Sequence, residues 1–312
     1  MSERDPLWPL EHARDVYSQM GEDGIAEALL AQFPNRNNWV VEFGAWDGVH
    51  LSNSRYLVAH RDFSAVLIEG SDRRFTDLEA LYRNRADVHT IHAYVRTCDP
   101  NTLDDILSRT PTPKDFDYLS IDIDGNDYHV WASLLAYRPK LVCIEFNPTV
   151  ASDIEFIQPD DFSIKHGASI KAMVNLGRQK GYELAAMTTG NAFFVSEEMF
   201  PYVEIADNSI NVLRADTSYV THVFSGYDGT MFIVGSTELP FHQIPMRLAN
   251  HQELPRLLRK FPLDYGPGRK VTFWAYYAAR HPANLSRKAL RRFRRHRLWP
   301  TQIAKRYRTR LD

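Results

Sequence analysis

Four residues in one short stretch combine two acids with two glycines: Glu42, Gly44, Asp47 and Gly48 in WVVEFGAWDGVHLSN, residues 39–53. The apolar run before them reads as a buried strand. Glycines bracketing the turn allow a tight bend and close approach of backbone to a ligand. In an open parallel sheet, ligands bind beyond the carboxyl ends of the strands. The spacing is G-x-x-x-G, which is neither the G-x-G-x-x-G of a dinucleotide site nor a phosphate loop ending in Gly-Lys-Ser/Thr. Glu42 and Asp47 would repel a pyrophosphate. They suit a cationic, phosphate-free nucleoside, and S-adenosylmethionine (SAM) meets that description with its sulfonium, ammonium, ribose and adenine. The plainer alternative is a set of ordinary turn glycines beside solvated acids.

Glu69 closes the next apolar run, 25 residues past Gly44. An acid there can accept hydrogen bonds from both ribose hydroxyls. The third run ends near Ala93 and Tyr94, where adenine would lie. A second acid group follows in LSIDIDGNDYHVW. Asp122 and Asp124, two apart, would share one side of a strand, and like charges there are costly unless a cation or shared proton relieves them. The next strand adds Glu145 and Asn147. This oxygen-rich set suits Mg²⁺ or another divalent cation. The D-x-D-G-N-D spacing departs from a calcium loop because position 12 is Ser133. The alternative is a hydrogen-bonded turn in which Asn126 and Asp127 cap the next helix. His166, just before a helix, is the leading base for a hydroxyl acceptor, imidazole as a class titrating near neutrality. Asp122 or Asp124 is the backup, and a solvated helix-entry histidine is the alternative. His50, His129 and His222 read as surface or core residues, and Trp46 and Trp131 as packing residues.

The elements that must position these groups alternate. Strands are expected at 39–44, 65–70, 88–95, 117–124, 141–147, 182–188 and 192–196, with helices between them. Continuous apolar strands alternating with helices specify an α/β fold, a mostly parallel sheet covered on both faces. The last two strands are separated by Thr189–Gly190–Asn191, a hairpin signal that makes the sheet end antiparallel. Residues 11–33 read as one or two covering helices. After residue 200 the alternation stops. Residues 227–235 read as hairpin-like and 251–262 as a short helix broken by prolines. The expected division is therefore 1–200 for the cofactor domain, 201–268 for an accessory region, and 269–312 for a basic tail, with Gly266, Pro267 and Gly268 as linker.

These residues resemble the FkbM-like branch of the SAM-dependent methyltransferases. The resemblance covers roughly residues 15–200 and rests on YSQMGEDGI, VVEFGAWDGVHLSNS, AVLIEGS, DYLSIDIDGNDYHVW, VCIEFNPT and HGASIKAMVNLGRQKGYEL. It implies a seven-stranded Rossmann-like sheet with an antiparallel last strand, and methyl transfer to a hydroxyl of a sugar or secondary metabolite. The reading is thus a SAM-dependent O-methyltransferase with a small polar acceptor. Glu42, Gly44, Asp47, Gly48, Glu69, Ala93 and Tyr94 would hold the cofactor. Asp122, Asp124, Glu145, Asn147 and His166 would form the acceptor site. N-methylation or intramolecular alkylation is the enzymatic rival. A non-catalytic scaffold of the same fold is the rival from another class.

Composition is ordinary for a globular protein, 44% hydrophobic and 24% charged. Charge is unevenly spread. Residues 269–312 carry 14 of the 37 Lys and Arg but one of the 39 Asp and Glu, a net of +13, leaving −15 on residues 1–268. The tail reads as a solvated or subunit-pairing segment in a homo-oligomer, or as a basic helix (Leu290, Phe293, Arg297) on an anionic membrane surface. The acidic body argues against nucleic acid. The two cysteines, Cys98 and Cys143, form no disulfide framework. The first residues lack the apolar core of a secretory signal, so the expectation is cytoplasmic, with peripheral membrane contact through the tail.

Overall fold

The computed structural model describes residues 4–282. The described residues form two compact units, 4–222 with Val234–Pro245, and Val223–Ile233 with 246–282. The division differs from breaks at 200 and 268 because residues 234–245 return to the first unit. There they form the hairpin of β10 (Glu238–Leu239) and β11 (Ile244–Pro245).

In the first unit seven strands make one sheet: β1 (Trp39–Phe43), β2 (Ser64–Glu69), β3 (Val88–His92), β4 (Tyr118–Ile121), β5 (Leu141–Glu145), β6 (Tyr182–Met187) and β7 (Asn191–Ser196). Their order is β3-β2-β1-β4-β5-β7-β6. The pairs among β1–β5 are parallel, and β7 runs antiparallel to both β5 and β6. This is the Rossmann-like sheet with an antiparallel last strand that the sequence led us to expect. Strand order reverses at β1, so the crevice of such a sheet opens beside the ends of β1 and β4.

Period-two alternation assigns each strand residue to one of two cores. Val41, Phe43, Val66, Ile68, Leu119, Ile121, Val142 and Ile144 face α4 (Leu103–Leu107), α5 (Asp127–Ser133) and α6 (Ile170–Gln179). Val40, Ala65, Leu67, Tyr118, Leu141 and Cys143 face α1 (Glu22–Leu30), α2 (Arg55–His60) and α3 (Asp72–Tyr82). Burying one such aliphatic side chain contributes about 1.5–3 kcal/mol, so strands buried on both faces hold the ligand edge rigid. Trp131 is fully buried among Gly177, Tyr182 and Phe194, as a packing residue should be. Trp46, expected to pack, is 41% exposed, with the Arg74 guanidinium 4.0 Å above its ring. Cys143 is core.

Several boundaries differ from expectation. β4 stops at Ile121, because Asp127 captures the backbone just beyond it. Residues 11–33 hold one helix, α1, and a 3₁₀ turn at Trp8–His12 precedes it. The proline-broken stretch at 251–262 forms only 3₁₀ turns, at Leu248–His251, Arg256–Leu258 and Pro262–Asp264. A four-residue helix, α7, spans Ile210–Leu213, and β8 (Thr221–Ser225) and β9 (Met231–Gly235) make a sheet of their own. The expected linker is instead the start of α8 (Pro267–Arg280), with Pro267 in its first turn, where a missing N–H costs nothing. The rest of the basic tail, including Leu290, Phe293 and Arg297, lies outside the described residues.

Candidate active site

At the end of β1 the chain turns on Gly44, whose φ is +74°. A Cβ there would lie 2.2 Å from the Asp122 carbonyl oxygen, so only glycine lets the β1 and β4 ends approach this closely. Gly48, at φ +77°, is crowded from the other side, its missing Cβ meeting Leu78 and Tyr82 of α3 within 3 Å. Gly48 therefore lets the turn seat against α3.

The acids of this turn organise backbone. Glu42 is 5% exposed and accepts from the Ser52 hydroxyl (2.7 Å), the Asn53 amide (2.8 Å) and the Ser54 hydroxyl (2.6 Å). Burial raises its pKa despite these bonds. Its carboxylate thus organises the Ser52–Ser54 turn that leads into α2. Asp47 accepts from the amides of Val49 (2.9 Å) and His50 (2.8 Å). Burial pulls its pKa upward, but those amides outweigh it and hold the group below the usual value. Glu69, 7% exposed, accepts from Trp46 N–H (2.8 Å) and Ser71 N–H (2.7 Å), tying the β1 turn to the start of α3. Ala93 N–H donates to the Glu69 carbonyl at 3.1 Å, bringing the third strand end alongside. Tyr94 is 69% exposed, and its ring lies so close over Gly70 that a Cβ there would be 2.3 Å from it. Gly70, overlooked in the sequence reading, is what lets that ring lie flat.

The second cluster forms although β4 ends early. Asp122 and Asp124 sit in the turn after Ile121, with Asp124 at φ +56°, a left-handed conformation that Asp tolerates better than most residues. Strand periodicity therefore does not align them. Asp127 builds the turn by accepting from Ile123 N–H (2.9 Å) and Gly125 N–H (2.8 Å). The outcome is still convergence: carboxylate oxygens of Asp122, Asp124 and Glu145 lie within 4.8 Å of one another. Burial, reinforced by Asp127 and Asp124, pushes Asp122 up to about 8. Burial together with Asp122 and Asp127 pushes Glu145 up to about 9, against the pull of Lys165. Burial also lifts Asp127, to about 6, although backbone amides oppose it. Crowding and burial thus favour the protonated forms of Asp122 and Glu145.

Asn147 is engaged with its own loop. Its Oδ1 accepts from the Thr149 amide (2.9 Å) and hydroxyl (2.7 Å), and its Nδ2 donates to the His166 carbonyl at 2.8 Å. It thereby holds the backbone of His166 and lines the same cavity as Asp124 and Glu145. His166 N–H and Gly167 N–H both donate to Oε1 of buried Gln158, at 2.9 and 2.8 Å. The backbone of His166 is thus clamped while its side chain is exposed. A cavity of about 340 Å³ opens here, lined by Asp124, Asp127, Glu145, Phe146, Asn147, Lys165, His166, Phe241 and His242 among others. Lys165 donates to the Ile123 carbonyl at 2.7 Å. Lys165 and Gln158 were missed, although Lys165 sits beside His166 in sequence. Phe241 and His242 carried no signal, since only the return of the β10–β11 hairpin brings them here.

The YSQMGEDG stretch proves to be a brace. Buried Glu22 accepts from Met20 N–H (2.7 Å), Thr188 Oγ1 (3.1 Å) and Asn191 Nδ2 (3.0 Å), linking the start of α1 to the β6–β7 hairpin. Asp23 accepts from the amides of Val16, Tyr17 and Ser18 at 2.7–3.0 Å.

No family model matches the sequence, and no curated protein matches it. Among solved structures, the chain is similar to the N-terminal domain of EvdMO1 with SAH bound, at 11% identity over 57% of this chain and 80% of that one, with a TM-score of 0.38. It is similar to the CurJ carbon methyltransferase at 7% identity, covering 58% and 56% of the two chains, with a TM-score of 0.38. It is also similar to the glycopeptide N-methyltransferase MtfA complexed with SAM, at 11% identity over 54% and 84%, with a TM-score of 0.32.

Proposed function

We propose that the chain is a SAM-dependent methyltransferase of the FkbM-like kind that methylates a hydroxyl of a small polar acceptor, a sugar, glycan or secondary metabolite. The observation that carries the reading is the acid-rich carboxyl edge of a Rossmann-like sheet, closed by a turn that only Gly44 permits. An edge that must otherwise store protons on Asp122 and Glu145 favours a cation and disfavours a pyrophosphate. In this reading Gly44 and Asp47 shape the bend that receives the methionine part, with Glu42 fixing the adjoining turn. Glu69 accepts from the ribose hydroxyls, and Ala93 and Tyr94 border adenine.

SAM supplies an electrophilic methyl group on sulfur. In-line attack of an acceptor oxygen on that carbon would break the carbon–sulfur bond and leave its electron pair on sulfur, in S-adenosylhomocysteine (SAH). The chain aligns the oxygen, excludes water and takes the hydroxyl proton. The cavity beside Asp124 and Glu145 would hold the acceptor, with Phe146 and Phe241 as apolar wall and His166 as base. The converging oxygens of Asp122, Asp124 and Glu145 also suit Mg²⁺. Such an ion would supply Lewis-acid charge that lowers the acceptor's pKa.

The test is transfer of labelled methyl from SAM to a panel of sugars and phenols, with product mass separating O- from N-methylation. His166→Ala should keep SAH affinity within about twofold and lose roughly 10²–10⁴ in turnover. Turnover that survives this change would move the base elsewhere, and methyl found on nitrogen would overturn the hydroxyl assignment.

A further inference from the structure

Two separate loops contribute polar groups to the wall of the acceptor cavity. One is the turn after β4, which carries Asp124 and Asp127. The other is the segment 165–167 before α6. The residue that joins them is Gln158, which is 1% exposed and does not itself line the cavity. Its backbone is pinned first. Gln158 N–H donates to the Gly167 carbonyl (3.3 Å), and His129 of α5 donates through Nε2 to the Gln158 carbonyl (2.8 Å).

The side chain then reaches both loops. Its Oε1 accepts from the amides of His166 (2.9 Å) and Gly167 (2.8 Å). Backbone N–H groups only donate, so these two bonds fix which end of the side-chain amide is oxygen. Nε2 takes the other end, where it donates to Asn126 Oδ1 and to the Ile164 carbonyl (3.1 Å). Asn126 is 2% exposed and sits inside the acid turn, beside Asp127, and its Nδ2 donates onward to Asp160 at 2.8 Å. The Gln158 amide thus has partners at both ends, one end on the His166 loop and the other reaching the acid turn. Lys165 adds a second tie, from Nζ to the Ile123 carbonyl at 2.7 Å. A Cβ on Gly125 would lie 2.9 Å from the Ile164 carbonyl oxygen, so the turn packs closely against the loop.

We propose that Gln158 is a positioning residue that sets the spacing between the carboxylates of the acid turn and His166 across the acceptor cavity. An amide suits this place because it accepts at one end and donates at the other. An ionised carboxylate only accepts, and an apolar side chain does neither. Misplacing reacting groups by about 1 Å can cost on the order of 10²-fold in rate, so a residue that touches no substrate can govern turnover. That catalytic consequence rests on the methyl-transfer reading above; the coupling of the two loops does not.

The experiment compares two variants of the full chain. Gln158→Met removes both ends of the clamp at similar volume, whereas Gln158→Glu, ionised, keeps the acceptor and loses the donors. Amide hydrogen exchange should show His166 and Gly167 exchanging about tenfold faster in Gln158→Met. In Gln158→Glu those two amides should stay protected, while Ile123 and Gly125, whose amides Asp127 holds, exchange several-fold faster. Turnover counted per SAH-binding site, which leaves out unfolded chains, should fall on the order of 10–100-fold in both variants, with SAH affinity within about twofold of wild type. A residue serving stability alone would lose folded protein and keep turnover per site. The proposal is overturned if exchange at His166 and Gly167 is unchanged in Gln158→Met, or if Gln158→Glu exposes all four amides or none. It is equally overturned if turnover per site in either variant matches wild type, or falls only in proportion to SAH affinity. Wild type that transfers no methyl would instead fail the methyl-transfer reading, and the exchange pattern then decides the coupling by itself.

Discussion

The two units solve burial in opposite ways. In the first, seven strands are sealed between helices, and even its acids are spoken for: Glu22, Asp23, Glu42 and Asp127 each organise backbone or neighbouring side chains inside the protein. In the second, the buried hydrophobic residues among those described are Leu258 and Tyr265, while Phe224, Tyr227, Leu257, Leu263 and Val271 stand at least half exposed. The contrast teaches where each unit's information lies. A sheet edge can hold uncomfortable charge because its packing is over-determined. A unit that buries few of its described residues leaves its apolar side chains at the surface.

Breaking the packed unit should show the largest effect. Trp131→Ala removes a fully buried indole from between α6 and the sheet and should cost about 3–5 kcal/mol, measured by urea denaturation. By contrast, Leu263→Ser, at a residue 82% exposed, should change stability by within about 0.5 kcal/mol in the same assay. Equal costs at the two sites would erase the distinction between the units.

Between these lies a pH effect that belongs to the first unit. Asp122 and Glu145 are raised to about 8 and about 9 from 3.8 and 4.5, so the folded chain holds protons that the unfolded chain has released. The stabilisation from these groups is complete below the unfolded values and is lost as pH climbs through 8 to 9. Glu145→Gln removes one such group. It should raise Tm at pH 9.5 relative to wild type, by about 2–4 °C if the relief is ~1 kcal/mol, and should change little at pH 5. A Tm difference that stays flat from pH 5 to 9.5 would mean that Glu145 is not crowded as described.

The fold was legible because its signal is local. Apolar runs such as AVLIEG and LVCIEFN are long enough to be strands and too short to be helices, and Thr189–Asn191 marks the one hairpin of the sheet. The acid pair at Asp122 and Asp124 was legible as chemistry but misread as geometry, since a carboxylate three residues on, Asp127, ends the strand by taking its amides. Glu42 and Asn147 look identical in sequence whether they face a ligand or their own loop. Only the structure shows their loop partners, at Ser52–Ser54 and Thr149. Phe241 and His242 were beyond reach, because contacts across so many residues leave no periodicity to read.

The central claim is that the β1–β2 edge takes a positively charged nucleoside and rejects a pyrophosphate. Calorimetric titration of the full chain with SAM, SAH and NAD⁺ tests it, with Gly44→Ala as the matched control. The account predicts saturable, roughly micromolar binding of SAM and SAH, no heat with NAD⁺, and loss of the SAM signal in Gly44→Ala. Tighter binding of NAD⁺ than of SAM, or SAM binding untouched by a methyl group at Gly44, would contradict it.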